Sequence, residues 1–183
     1  MKLNLGSNTK QIEGFINVDA LPFPEVDEVW DLTKIPYPFA EEFSVDEILS
    51  VECLEHISFR DTYRVLSEWY RIMKVGGKLK IQVPDIEKMI YYYVNNEICE
   101  CVPHKAESVE GYKADPECPV CKGTAKVNIN RWAYAFTGAQ KHKYDIHKNI
   151  FTPEILKKVL AKIGFINIVQ IPHIYKLIIE CEK

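Results

Sequence analysis

Long apolar runs are missing from this chain. The longest, Met89 to Val94, falls far short of the roughly 20 residues needed to cross a bilayer. An excess of positive charge is missing too. Against 26 Asp and Glu stand 23 Lys and Arg, so the net charge of −3 offers no global attraction for nucleic acid or an anionic membrane. No signal peptide is visible, because the first strand pattern starts within two residues of Met1. Glycine is scarce where it is usually abundant: the first strand enters its loop with Gly6 alone, where nucleotide-binding loops carry two or three. Cysteine is scarce outside one segment. Cys53 and Cys181 stand singly, while Cys99, Cys101, Cys118 and Cys121 fall together, a pattern that suits a metal site better than a disulfide framework. These features place the chain in a reducing cytoplasm.

What is present suits one domain over residues 1–183, since 183 residues at 47% hydrophobic content can bury a full core. Apolar periodicity predicts strands at 3–5, 15–19, 28–31, 46–51 and 78–83. Between the last two lies the clearest helix, with Ser58 and Asp61 at its start and Leu66, Trp69, Tyr70 and Met73 as its apolar stripe. Gly76-Gly77 is its expected stop. Thr152-Pro153 opens a further helix with Ile155, Leu156, Val159, Leu160 and Ile163 as its buried face and Gly164 as its end. Two final strands, 165–171 and 175–181, are joined so closely that they must pair antiparallel. The pattern is α/β: a Rossmann-like, doubly wound, mostly parallel sheet with an antiparallel last strand. Residues 95–127 break the rhythm and read as a Cys-rich insertion after the fifth strand and its helix.

Ligands of open α/β sheets sit beyond the carboxyl ends of the strands. Here those ends carry Gly6-Ser7-Asn8, then Asp19, then Asp31-Leu32, then Glu52-Cys53-Leu54-Glu55-His56. One glycine after a strand is ordinarily a turn, and one aspartate at a strand end is ordinarily a solvated cap. Arriving on successive strands, they point to a nucleoside site.

The stretches LNLGSN, GFINVDA, VDEVWDL, VDEILSVECLEHIS, LSEWYRIMKVGGKLKIQVPD and HKNIFTPEILKKVLAKIGF together resemble the class I S-adenosylmethionine-dependent methyltransferases. The subgroup is the small type 11-like enzymes often encoded beside sugar- and polysaccharide-modifying genes. The resemblance implies a seven-stranded sheet and S-adenosylmethionine as cofactor. Gly6, Ser7 and Asn8 would then line its methionine part, with Asn4 also binding the cofactor, Asp19 would hold the ribose hydroxyls, Asp31 and Leu32 would flank adenine, and Glu52, Cys53 and Leu54 would form the wall beside the sulfonium. Two departures stand out. Asn8 occupies a place where relatives commonly carry a second glycine, and the crossover between the first two strands is short.

Methyl transfer to a hydroxyl needs a proton acceptor. His56 is one candidate, the other reading being a helix-start histidine bound to backbone. His147 is the second candidate, from a polar loop, residues 140–148, whose His142 and Tyr144 suit a polar or phosphorylated acceptor. Asp85 either binds the acceptor or caps the next helix. Cys99, Cys101, Cys118 and Cys121 have the spacing of a structural zinc site, with His104 as a stand-in for Cys99 or Cys101; the other reading is an unstructured loop with incidental cysteines. Within that segment Lys105, Lys113, Lys122 and Lys126 are offset by Glu100, Glu107, Glu110, Asp115 and Glu117, which argues against nucleic acid as its partner. The expected partners are a small-molecule acceptor and a protein partner or second copy held through the insertion. The rival function is a non-catalytic protein of this fold that binds a partner through a zinc-stapled insertion. A nucleic-acid methyltransferase is disfavoured, since no Asn/Asp-Pro-Pro-Tyr-like stretch follows the fourth strand.

Overall fold

The structure, a computed structural model, describes residues 1–94, 136–173 and 176–183. Seven strands form one sheet: β1 (Lys2–Leu5), β2 (Ile16–Asp19), β3 (Glu28–Val29), β4 (Val45–Val51), β5 (Met73–Pro84), β6 (Ile166–Ile171) and β7 (Lys176–Glu182). Their order is β3-β2-β1-β4-β5-β7-β6, with β7 antiparallel to both neighbours and every other pair parallel. Three helices are described: α1 (Phe59–Ile72), α2 (Ile86–Val94) and α3 (Pro153–Ile163). The expected hairpin pairs Ile171 with Ile178 and Ile166 with Glu182. The Cys-rich segment and its four cysteines lie outside the described residues.

The strand order reverses between β1 and β4, which places the switch point beside Gly6. In β1, Leu3, Asn4 and Leu5 are all buried, as expected of a central strand covered on both faces. No helix links β1 to β2. Instead the Asn4 Nδ2 group donates to the Lys10 carbonyl at 2.8 Å and to Asn17 Oδ1 at 2.9 Å, and Asn17 Oδ1 also accepts from the Ile12 backbone at 3.0 Å. Asp27 Oδ2 closes the network by accepting from the Asn17 backbone at 2.7 Å. Side-chain amides thus fix the short crossover that a helix would otherwise span.

Helix α1 starts as its residues direct, with Ser58 Oγ accepting from the Arg60 backbone at 3.3 Å. It buries Val65, Leu66, Trp69 and Ile72. It ends at Ile72, before Gly76-Gly77, because Met73 is already extended and pairs with Val45. The glycines belong to β5, with Gly76 at φ +77°, a conformation glycine adopts without penalty. Trp69 Nε1 donates to Tyr37 Oη at 3.0 Å, and that hydroxyl donates to the Leu32 carbonyl at 3.0 Å. Glu68 accepts from the Tyr37 backbone at 2.8 Å and from Arg71 at 2.7 Å. These bonds pin the helix-free connection between β3 and β4 against α1, and so hold Asp31 and Leu32 at the strand ends.

Helix α3 begins at Thr152, whose Oγ1 accepts from the Ile155 backbone at 3.1 Å, and it ends at Gly164. Leu156 and Leu160 are its fully buried residues, with Val159 and Ile163 partly buried against the core. Ile155, expected in that face, is 48% exposed: it sits in the first turn, one position away from the buried row.

Candidate active site

Backbone geometry at the end of β1 sets the floor of the site. Gly6 turns at φ +75°, and both Gly6 and Ser7 donate their backbone N–H to the Val18 carbonyl, at 2.8 and 3.0 Å. A Cβ on Gly6 would lie 2.4 Å from Cys53 Sγ, so β1 and β4 approach too closely there for any side chain. Asn8 follows at φ +48°. Asparagine is the residue that best tolerates this left-handed region after glycine, which explains how the chain turns without a second glycine.

Asp19 faces this turn. Its Oδ2 accepts from the Asn8 backbone at 2.9 Å and its Oδ1 from the Leu21 backbone at 2.9 Å. Each oxygen keeps a lone pair for a further donor. Asp31 Oδ1 accepts from the backbone and hydroxyl of Thr33, at 3.0 and 2.7 Å. Glu52 closes β4 at φ +53°, strained for a glutamate, and is held by Gln82 and by an ion pair with Lys176 of β7. Cys53 beside it is buried. Burial, then the nearby Glu55 carboxylate, push its thiol well above the ordinary range, so it is a wall and not a nucleophile.

These strand ends open into a cavity of about 580 Å³, a size typical of small-molecule sites. Gly6, Asn8, Asp19, Asp31, Leu32, Glu52 and Cys53 line it, as do His56, His142 and Tyr144. Five of the predicted residues that the structure describes do not. Asn4 and Ser7 are buried in β1 and its turn, Leu54 is fully buried in the core, and Asp85 accepts from the Lys88 backbone at 3.2 Å as the cap of α2. His147 lines a small neighbouring pocket instead. Phe23, Ser58, Asp61, Lys141, Asp145 and Lys148 join the wall without having been singled out from the sequence. Phe23 carried no signal, whereas Lys141, Asp145 and Lys148 lie inside the polar loop that did.

That loop is docked by backbone. Lys148 and Asn149 both donate N–H to the Glu55 carbonyl, at 2.8 and 3.1 Å, and His147 donates its N–H to the Thr137 carbonyl at 3.1 Å. Ring nitrogen Nδ1 of His56 sits 3.2 Å from the Ile146 carbonyl oxygen, a contact that assigns the proton to Nδ1. Burial lowers the His56 pKa, with that carbonyl opposing, so the imidazole is neutral near pH 7 and can accept a proton.

Comparison with known proteins adds the decisive observation: residues 17–81 match the family model described as "Methyltransferase domain". Over that third of the chain the sequence is similar to methyltransferase domains. No curated protein matches it in sequence. Among solved structures, a Thermotoga maritima S-adenosylmethionine-dependent methyltransferase, described as a possible histamine N-methyltransferase, is similar at TM-score 0.56 and 16% identity. That match covers 100% of this chain and 81% of the other. The Burkholderia thailandensis 1,6-didemethyltoxoflavin N1-methyltransferase, solved with S-adenosylhomocysteine, is similar at TM-score 0.55 and 12% identity, covering 100% and 70%. An Archaeoglobus fulgidus S-adenosylmethionine-dependent methyltransferase follows at TM-score 0.54 and 14% identity, covering 100% and 85%. At such identities the structures show a shared fold. Together with the partial domain match, that fold supports a class I S-adenosylmethionine-dependent enzyme.

Proposed function

We propose that this methyltransferase moves a methyl group from S-adenosylmethionine to a hydroxyl of a small polar acceptor, a sugar or related metabolite. The observation that carries the reading is the convergence of Asp19, Asp31, Glu52 and His56 on one cavity at the strand ends. S-adenosylmethionine, when bound, supplies a methyl group on a positively charged sulfonium. The residues present fit such a group. Gly6 and Asn8 let backbone approach closely, Asp19 has acceptor capacity left for ribose hydroxyls, and Asp31 and Leu32 line the same cavity from the next strand end, which suits a role flanking adenine. The acidic wall suits a cationic centre. In-line displacement gains most from alignment and exclusion of water, which the docked loop at 141–148 provides.

The acceptor side rests on different groups. His56 is placed to take a hydroxyl proton, while His142, Tyr144, Lys141 and Lys148 offer hydrogen bonds to a polar acceptor. The sugar class comes from the resemblance in sequence. Transfer assays with labelled S-adenosylmethionine against a panel of sugars and of amines test it. Labelled sugar ethers support the reading, and transfer confined to amines refutes it.

The four cysteines of residues 95–127 are proposed to bind a structural zinc ion, on the strength of their spacing. Metal analysis of chelator-washed protein tests this: an equivalent retained by the intact chain and lost in Cys118→Ser/Cys121→Ser supports it, and no difference between the two refutes it. The insertion is also the proposed contact for a partner protein or second copy. No described helix is long and apolar enough to cross a membrane.

A further inference from the structure

Beside the cavity, two histidines converge on a carboxylate that the reaction leaves unused. Glu55, in the 3-10 turn after β4, is 1% exposed, and neither carboxylate oxygen has a hydrogen-bond partner among the described residues. Pro84, Ile86, Met89 and Phe151 line the pocket it faces. Interiors seldom leave a carboxylate this way unless a proton, a cation or a metal ion compensates it.

Two imidazoles stand next to it. His147 Nε2 lies 4.0 Å from Glu55 Oε1, and the His147 ring meets that of His56 edge-on, with centroids 4.9 Å apart and planes at 67°. One ring nitrogen of each histidine and one Glu55 oxygen lie within 4.8 Å of one another. Two imidazoles on a tetrahedral zinc ion, each bound at ~2.1 Å, have ring centres about 5 Å apart. The separation found is that one. Donor atoms around such an ion are about 3.4 Å apart, so side-chain rotation over roughly 1 Å completes the geometry. The backbone already fixes the parts, since Glu55 and His56 are adjacent in the turn and the His147 loop is bonded to the Glu55 carbonyl through Lys148 and Asn149.

We propose that Glu55, His56 and His147 bind a divalent transition cation of the zinc class. Two imidazoles and one carboxylate favour zinc, cobalt or iron over magnesium or calcium, which prefer all-oxygen sites. Three protein ligands leave a coordination position for water or for an acceptor oxygen, and His56 also lines the main cavity. With a metal bound, His56 would serve as a ligand and the ion would supply an acidified water near the acceptor; without it His56 keeps the proton-accepting role. None of its three ligands is a cysteine.

The test is titration of the chelator-stripped full chain with cobalt(II), read by absorption. Cysteine ligation adds thiolate charge-transfer bands that histidine and carboxylate ligation lacks. The expected result is two equivalents of cobalt on the unmodified chain, one adding thiolate bands and one not; the thiolate-free equivalent is retained alone in a Cys118→Ser/Cys121→Ser variant and lost in Glu55→Gln. Full retention of that equivalent in Glu55→Gln overturns the proposal. So does the absence of thiolate-free cobalt on the unmodified protein, an arm that needs no variant to fold. Because cobalt is the readout, failure of methyl transfer leaves the result intact.

Discussion

Replacing Gly6 with alanine separates two costs that glycine avoids at the floor of the site. The added Cβ would lie 2.4 Å from Cys53 Sγ and 2.5 Å from Cys53 Cβ, and the residue must also hold φ +75°. Left-handed backbone costs a residue with a Cβ roughly 1–2 kcal/mol. Forcing a methyl into a filled space costs about 1–3 kcal/mol more. The expected loss is therefore about 2–5 kcal/mol, out of a total stability on the order of 5–15 kcal/mol. Gly76 is the internal control. It has nearly the same φ, +77°, yet nothing lies within 4 Å of its Cβ position, so Gly76→Ala should show only the backbone cost. Chemical denaturation of both variants measures the difference. Adding Cys53→Gly to Gly6→Ala should recover about 1–3 kcal/mol as a coupling energy. Equal losses for the two alanine variants, or no recovery in the double variant, would refute the close approach of β1 to β4.

Glu68 is 5% exposed; burial alone would raise its pKa, but hydrogen bonds from Arg71 and the Tyr37 backbone hold it below the ordinary value. Its stabilising effect is present above the usual carboxylate range and lost as pH falls through the lowered pKa, so Glu68→Gln should cost about 1–3 kcal/mol at pH 7 and much less in acid. Denaturation curves across pH check this, and a pH-independent loss counts against it. Tyr37→Phe removes the hydroxyl between Trp69 Nε1 and the Leu32 carbonyl, and should cost about 1–3 kcal/mol by thermal unfolding. Gly138→Ala places a Cβ 2.0 Å from the Asp145 carbonyl oxygen, so it should undock the polar loop and expose it to limited proteolysis while the sheet stays folded.

The sheet was readable from the sequence because its strands are short apolar runs with polar ends, and because Pro172-His173 leaves room only for antiparallel pairing of β6 and β7. The end of α1 was misplaced at Gly76-Gly77, since a glycine pair signals a helix stop equally well when it marks a bend in a strand. That Asp19, Asp31, Glu52 and His56 line one cavity was legible because strand order alone brings them to one edge. Asn4 was not. Its amide looks like a ligand group in sequence, but the missing crossover helix recruits it to hold Lys10 and Asn17. Glu55 was overlooked for a related reason. Sequence shows a carboxylate beside a histidine but not its burial, nor the loop that carries His147 to it from 92 positions away.

Binding of S-adenosylmethionine, measured by calorimetric titration on the intact protein and on Asp19→Ala, tests the central claim most directly. A carboxylate hydrogen-bonded to ribose is worth about 1.5–3 kcal/mol, so the intact chain should bind and the variant should bind about 10- to 100-fold more weakly. No binding by the intact chain at millimolar cofactor, or unchanged affinity in Asp19→Ala, would contradict the account.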